Sequence, residues 1–110
     1  MGNSEYLGEF EQMVLLSVLR LGDNAYGVTV HKELGRTTGR NVRRGAVYVA
    51  LERMQAKGLL SSAFGDPSSA RGGRAKRFYS VQPAGRAALR ASRDALMNLW
   101  DGVEPELEEG

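Results

Sequence analysis

Cysteine is absent from this chain of 110 residues, which excludes disulfide staples, thiolate metal sites and cysteine nucleophiles. Histidine occurs once, as His31, so every metal or catalytic motif that needs two is excluded as well, and neither metal nor cofactor is expected. Long apolar runs are also missing. The longest is six residues, Ala46 to Leu51, against the roughly 18 that a membrane span needs. The opening MGNSEYLGEFEQ is acidic where a secretory signal would be basic and then apolar. No Gly-x-Ser-x-Gly elbow accompanies Ser17 or Ser61 to make a hydrolase with His31. The basic loop lacks the Gly-Lys-Ser or Gly-Lys-Thr of a nucleotide-binding motif. The expectation is a soluble, cytoplasmic protein that is not an enzyme.

What remains is ordinary in amount, with 42% hydrophobic and 25% charged residues, and the length suits one domain. Such a short chain builds a modest core that a partner chain could complement. The charge is unevenly placed. Residues 1–19 carry Glu5, Glu9 and Glu11 and no base. Residues 20–93 hold all fifteen Lys and Arg against Asp23, Glu33, Glu52 and Asp66, a net of +11. Residues 94–110 return to −6. A basic middle between acidic ends fits a polyanion, because Lys and Arg gain affinity by releasing the counterions condensed on phosphates. A merely solvated basic surface would carry the same charge.

The apolar spacing predicts four helices and a hairpin. Phe10, Met13, Val14, Ser17, Val18 and Leu21 mark one face of a helix over about 8–21. Leu15, Leu16 and Leu19 lie off that stripe, so the helix must be covered on more than one side, and a second subunit is a natural cover. A second helix is predicted over about 26–37 and a third over about 44–57, ending at Gly58. In the third, Val47, Ala50, Leu51 and Met54 share the core face, while Gly45, Tyr48, Val49, Glu52 and Ala56 point the other way. Residues 59–64 and 76–81 read as strands joined by a long basic loop. Pro83 then opens a final helix, whose narrow stripe of Leu89, Leu96, Trp100 and Val103 suits packing against another long helix. The tail 104–110 is acidic and expected to be disordered.

Three helices followed by a hairpin is the order of a winged helix-turn-helix, an α+β fold that is mainly α. Residues 1–82 would form the DNA-binding domain and residues 83–103 a long C-terminal dimerisation helix of the same compact unit. The second helix of such a pair can lie in a DNA major groove. Arg43 and Arg44 stand at its N-terminal end, where arginine can bond guanine O6 and N7 in a bidentate fork. Tyr48, one turn on, can donate to a phosphate or cap the edge of the core. Arg53 can serve DNA or pair with Glu33 or Glu52. The hairpin tip Arg71-Gly72-Gly73-Arg74-Ala75-Lys76-Arg77 gathers four cations around glycines that permit close approach to a duplex. His31 reads as a helix residue with no special role. Trp100 fits a dimer core or a ligand platform.

Several segments resemble the PadR family of transcriptional regulators. They are Leu7–Leu16, Ala25-Tyr26-Gly27-Val28, the stretch from Gly45 to Leu59, the wing from Arg71 to Tyr79, and Pro83-Ala84-Gly85-Arg86. The resemblance spans roughly residues 7–100 and is similar to the family's compact branch, with a single C-terminal helix. It implies a homodimeric repressor at a roughly palindromic operator on double-stranded DNA, with Tyr26, Tyr48, Arg71, Arg74 and Lys76 as DNA contacts beside Arg43, Arg44 and Gly45. Dimerisation through the first and last helices would use Phe10, Leu15, Leu19, Leu89, Leu96, Leu99 and Trp100. A small aromatic effector stacked on Trp100 is a further implication. Two positions depart from the family's pattern: Arg43 replaces a small hydroxyl residue, and Gln82 replaces a threonine that would cap the last helix. The alternative is a winged-helix module that binds RNA or a protein partner.

Overall fold

In the computed structural model, residues 7–65, 75–103, 105 and 107 are described. Among the described residues, four helices and one hairpin follow in the predicted order: α1 (Glu9–Leu21), a 3-10 turn (Gly22–Asn24), α2 (Gly27–Thr38), α3 (Arg44–Ala56), β1 (Leu60–Phe64), β2 (Arg77–Val81) and α4 (Pro83–Trp100). This is the expected winged helix-turn-helix, mostly helical with one two-stranded antiparallel sheet. Each predicted boundary falls within a residue or so of the observed one. Of the 104–110 tail only Pro105 and Leu107 are described, both exposed, and the expectation for its other residues lies outside the described part.

Local chemistry accounts for the element ends. Glu9 and Glu11 occupy the first turn of α1, where carboxylates are favoured by the helix dipole. α2 closes on Gly39 at φ 76°, with its N–H bonded to the Gly35 carbonyl at 2.8 Å. That left-handed cap strongly favours glycine. β1 and β2 pair in a register that sets Leu60 opposite Val81 and Phe64 opposite Arg77. The hairpin is tied to the start of α2 by a bridge between Tyr26 and Phe78 and by the Tyr79 N–H donating to the Ala25 carbonyl at 2.8 Å.

The core lies between α1, α2, α3 and the sheet. Val14, Leu15, Val18, Val30, Leu34, Val47, Leu51 and Met54 are buried there, joined by Leu60, Tyr79, Val81 and Leu89. Full burial of one such side chain is worth about 1.5–3 kcal/mol, so the three helices hold each other through these contacts. One assignment from the periodicity is overturned. Leu15, expected at a subunit contact, is fully buried in the chain's own core, whereas its neighbour Leu16 is 47% exposed. Both lay off the marked stripe, and α1 is enclosed over a wider arc than that stripe suggests because α2, α3 and the sheet all pack on it.

α4 joins this body only through its first half. Gly85, Leu89 and Ser92 are buried, and the Ser92 hydroxyl accepts the Leu7 N–H at 3.0 Å. A Cβ at Gly85 would overlap the Leu59 carbonyl oxygen and stand 2.9 Å from Val81 Cγ1, so α4 crosses the hairpin at glycine distance. Gln82 caps nothing with its side chain, consistent with its weak capping chemistry. Its Nε2 instead donates to Ser61 Oγ at 2.7 Å, and its backbone N–H donates to the Leu59 carbonyl at 2.9 Å.

Glu33 joins α1 to α2. Its carboxylate accepts from Arg20 Nε and Arg36 Nη2, each at 2.7 Å, and from the Thr37 hydroxyl at 3.1 Å. The bond from Arg20, then that from Arg36, holds the Glu33 pKa down from 4.5 to about 2. The unfolded chain takes up this proton near pH 4.5 and the folded chain only near pH 2, so the stabilisation is complete above that window and disappears as pH falls through it. Glu33→Gln is therefore expected to melt below the wild type at neutral pH, with the difference in Tm closing between about pH 4.5 and pH 2. A Tm difference that stays constant across those pH values in paired thermal melts would contradict this assignment.

Candidate nucleic-acid interface

α3 presents two faces. Val47, Ala50, Leu51 and Met54 are buried, while Arg43, Arg44, Gly45, Ala46, Tyr48, Val49, Glu52 and Arg53 are exposed. Arg43 is the extended residue before the helix and Arg44 its first helical residue. No side chain caps this end, and arginine, having no acceptor, could not. The first backbone N–H groups of α3 thus stand beside two cations, an arrangement suited to an anion.

The turn that delivers these arginines is held by His31. Its Nε2 lies 2.6 Å from the Val42 carbonyl, and because a carbonyl only accepts, the ring nitrogen donates. Val42 packs against the core beside this bond. His31, expected from the sequence to be a helix residue with no special role, pins the segment that immediately precedes α3. Its partner is a backbone carbonyl eleven residues away, a relation that no residue-type motif marks.

A second cluster forms where α2 meets the wing. Lys76 Nζ lies 3.3 Å from the Tyr26 hydroxyl and 4.5 Å from the centroid of its ring. Tyr26 meets Phe78 edge-on, with centroids 5.4 Å apart. Tyr48, from α3, rests over Gly27 at the start of α2. Arg77 Nη1 stands 3.6 Å from Glu52 and the Arg77 guanidinium 4.8 Å from the Phe64 ring centroid. Tyr26, Gly27, Tyr48, Glu52, Phe64, Lys76 and Arg77 line a cavity of about 470 Å³ between α3 and the hairpin. Tyr26, Tyr48 and Lys76 are thus brought together, with Arg43, Arg44 and Gly45 exposed at the start of α3. Arg71 and Arg74 lie outside the described residues. Of the two carboxylates weighed as partners for Arg53, Glu33 is bound to Arg20 and Arg36, and Glu52 stands beside Arg77.

A different surface lies along α1 and α4. Leu16, Leu19, Leu89, Leu96, Met97 and Trp100 line a groove of about 460 Å³, rimmed by Arg86, Arg90 and Arg93. Leu99 belongs to an adjoining hollow with Val103 and Leu107. Phe10 does not reach this groove. It lines a separate hollow with Val49 and Ala50, because Phe10 lies on the side of α1 that faces α3.

The serines weighed for catalysis are engaged elsewhere. The Ser17 hydroxyl donates to the Met13 carbonyl at 2.8 Å, and Ser61 Oγ accepts from Gln82. Among the described residues no His, Asp and Glu group could hold a metal ion, and no helix is long and apolar enough to cross a membrane.

The sequence model of the transcriptional regulator PadR-like family matches residues 15–91. The transcriptional regulator Rv3488 of Mycobacterium tuberculosis is 40% identical over 77 residues, covering 70% of this chain and 67% of its own. A PadR family transcriptional regulator from Eggerthella lenta superposes with a TM-score of 0.68 at 26% identity, covering 93% of this chain and 88% of that one. A PadR family regulator from Clostridium difficile gives a TM-score of 0.67 at 22% identity, over 91% and 96% of the two chains.

Proposed function

This chain belongs to the PadR-like family of transcriptional regulators, and from that premise we propose that it is a homodimeric, sequence-specific DNA-binding repressor. The observation that carries the reading is the exposed start of α3, where Arg43 and Arg44 stand clear of the body and His31 pins the turn before them. Each subunit sets α3 into one of two successive major grooves about 34–36 Å apart. Arg44 reads a base edge, and Tyr26, Tyr48 and Lys76 meet the backbone beside it. Arg71 and Arg74, which lie in the sequence between β1 and β2, are assigned to the flanking groove by the same reading.

Pairing of two copies along the α1–α4 groove sets the spacing of the two α3 helices. Leu16, Leu96, Met97 and Trp100 are exposed there and Leu99 in the adjoining hollow, a density of apolar side chains that favours a covered face. A small aromatic effector entering beside Trp100 would alter that pairing and release the operator. Trp100 is the sole tryptophan, so quenching of its fluorescence reports such a compound directly.

Arg44→Ala tests the reading. A bidentate arginine contributes about 1–3 kcal/mol of base discrimination, so the variant is expected to lose about 5- to 150-fold on operator DNA and far less on scrambled duplex. Titration of both duplexes by fluorescence anisotropy measures this. Equal losses on the two would remove Arg44 from sequence readout.

A further inference from the structure

We infer that Gly27 is a positioning residue for DNA binding, whose missing side chain forms the seat that fixes Tyr48. This inference rests on the DNA-binding reading above and adds a residue to it. A Cβ at Gly27 would overlap the Cε1 and Cζ atoms of the Tyr48 ring and stand 2.5 Å from its hydroxyl. Gly27 is buried although it has no side chain, and the Tyr48 ring lies directly against it. Tyr48 itself is 40% exposed, so one part of the ring rests on the α2 backbone while the remainder faces solvent.

Backbone conformation does not require glycine here. Among the described residues positive φ occurs at Gly22, Gly39, Gly58 and Gly102, and Gly27 is not one of them. Alanine would suit this helical position and would lower the entropy of the unfolded chain. What alanine cannot do is share the space with the tyrosine ring. The glycine therefore serves the neighbouring element and not its own helix.

The consequence is preorganisation. A half-exposed tyrosine on a helix surface samples several rotamers, and holding it in one removes an ordering cost from binding. The seat lies between the two parts of the interface. Tyr48 lines the same cavity as Tyr26 and Lys76, one turn of α3 before Glu52 and beyond the exposed Arg43 and Arg44. Held against Gly27, the Tyr48 hydroxyl is fixed at the junction of α2, α3 and the wing, where a phosphate bridging them would run. This contact is to backbone, so it strengthens binding without selecting sequence.

A double-mutant cycle tests the seat, using full-length protein with operator and scrambled duplexes, and thermal melts of every variant. Gly27→Ala is expected to weaken binding to both duplexes by roughly tenfold, the scale of a lost hydrogen bond to a charged group. Tyr48→Ala is expected to cause a loss of similar size. The double variant should bind no worse than Tyr48→Ala alone, because no ring remains for the new methyl to displace. If Gly27→Ala lowers Tm, the double variant should recover it, which a purely local defect in α2 would not do. Binding by Gly27→Ala at wild-type strength, or losses that multiply in the double variant, would overturn the seat. Wild-type protein with no preference for its operator would instead overturn the reading on which the seat rests.

Discussion

Leu96→Asp is expected to yield a folded monomer whose affinity for an operator with two half-sites is lower by about 10²- to 10⁴-fold, the advantage that linking two binding modules provides. Leu96 is 49% exposed in the single chain and lines the α1–α4 groove with Leu16, Met97 and Trp100. It makes no part of the buried core, so a carboxylate there stays hydrated in the monomer and leaves the fold intact. In a pair of copies the same carboxylate would be buried against apolar surface with a large desolvation cost. Sedimentation velocity at micromolar protein reads the state of association, and anisotropy on full and half operators reads the binding. A variant that still sediments as a dimer and holds the full operator at wild-type strength would remove the α1–α4 groove from the pairing.

Gly85→Ala is expected to lower Tm by about 10 °C, corresponding to a loss of about 2 kcal/mol in a chain of this size. The cause is the hairpin. The new methyl would overlap the Leu59 carbonyl oxygen, a backbone atom that cannot rotate aside, and crowd Val81 Cγ1 at 2.9 Å. α4 must then lift from β1 and β2, loosening the Gln82 bonds to Ser61 and Leu59 and the burial of Leu89. The gain of up to about 1 kcal/mol from replacing glycine in a helix offsets only part of this. Gly45→Ala is the control, since a Cβ at Gly45 meets nothing within 4 Å, and its Tm should hold or rise. Equal Tm for Gly85→Ala and the wild type would mean that α4 has slack against the hairpin.

Much of this architecture is readable from the sequence because it rests on period and punctuation. Val47, Ala50, Leu51 and Met54 repeat at helical spacing and form the buried face of α3. Gly39, Gly58 and Pro83 stand where helices stop or start. Facing direction was harder to read where apolar residues are dense. Leu15 and Leu16 are adjacent leucines, and only the packing of three elements around α1 decides that the first is core and the second exposed. Contacts between a side chain and a distant backbone leave no mark in residue type. The His31 bond to the Val42 carbonyl and the crossing at Gly85 are of that kind. So is the Gly27 seat, although a glycine at the first position of a helix with ordinary φ is itself a signal that something presses on it.

The most direct measurement is binding of the wild-type protein to the DNA upstream of its own reading frame, against scrambled duplex, across a salt series from low to above-physiological ionic strength. A sequence-specific repressor is expected to prefer the upstream DNA by about a thousandfold or more, with both affinities falling steeply as salt rises. Equal, steeply salt-dependent binding to the two duplexes, or no binding to either, would contradict the account.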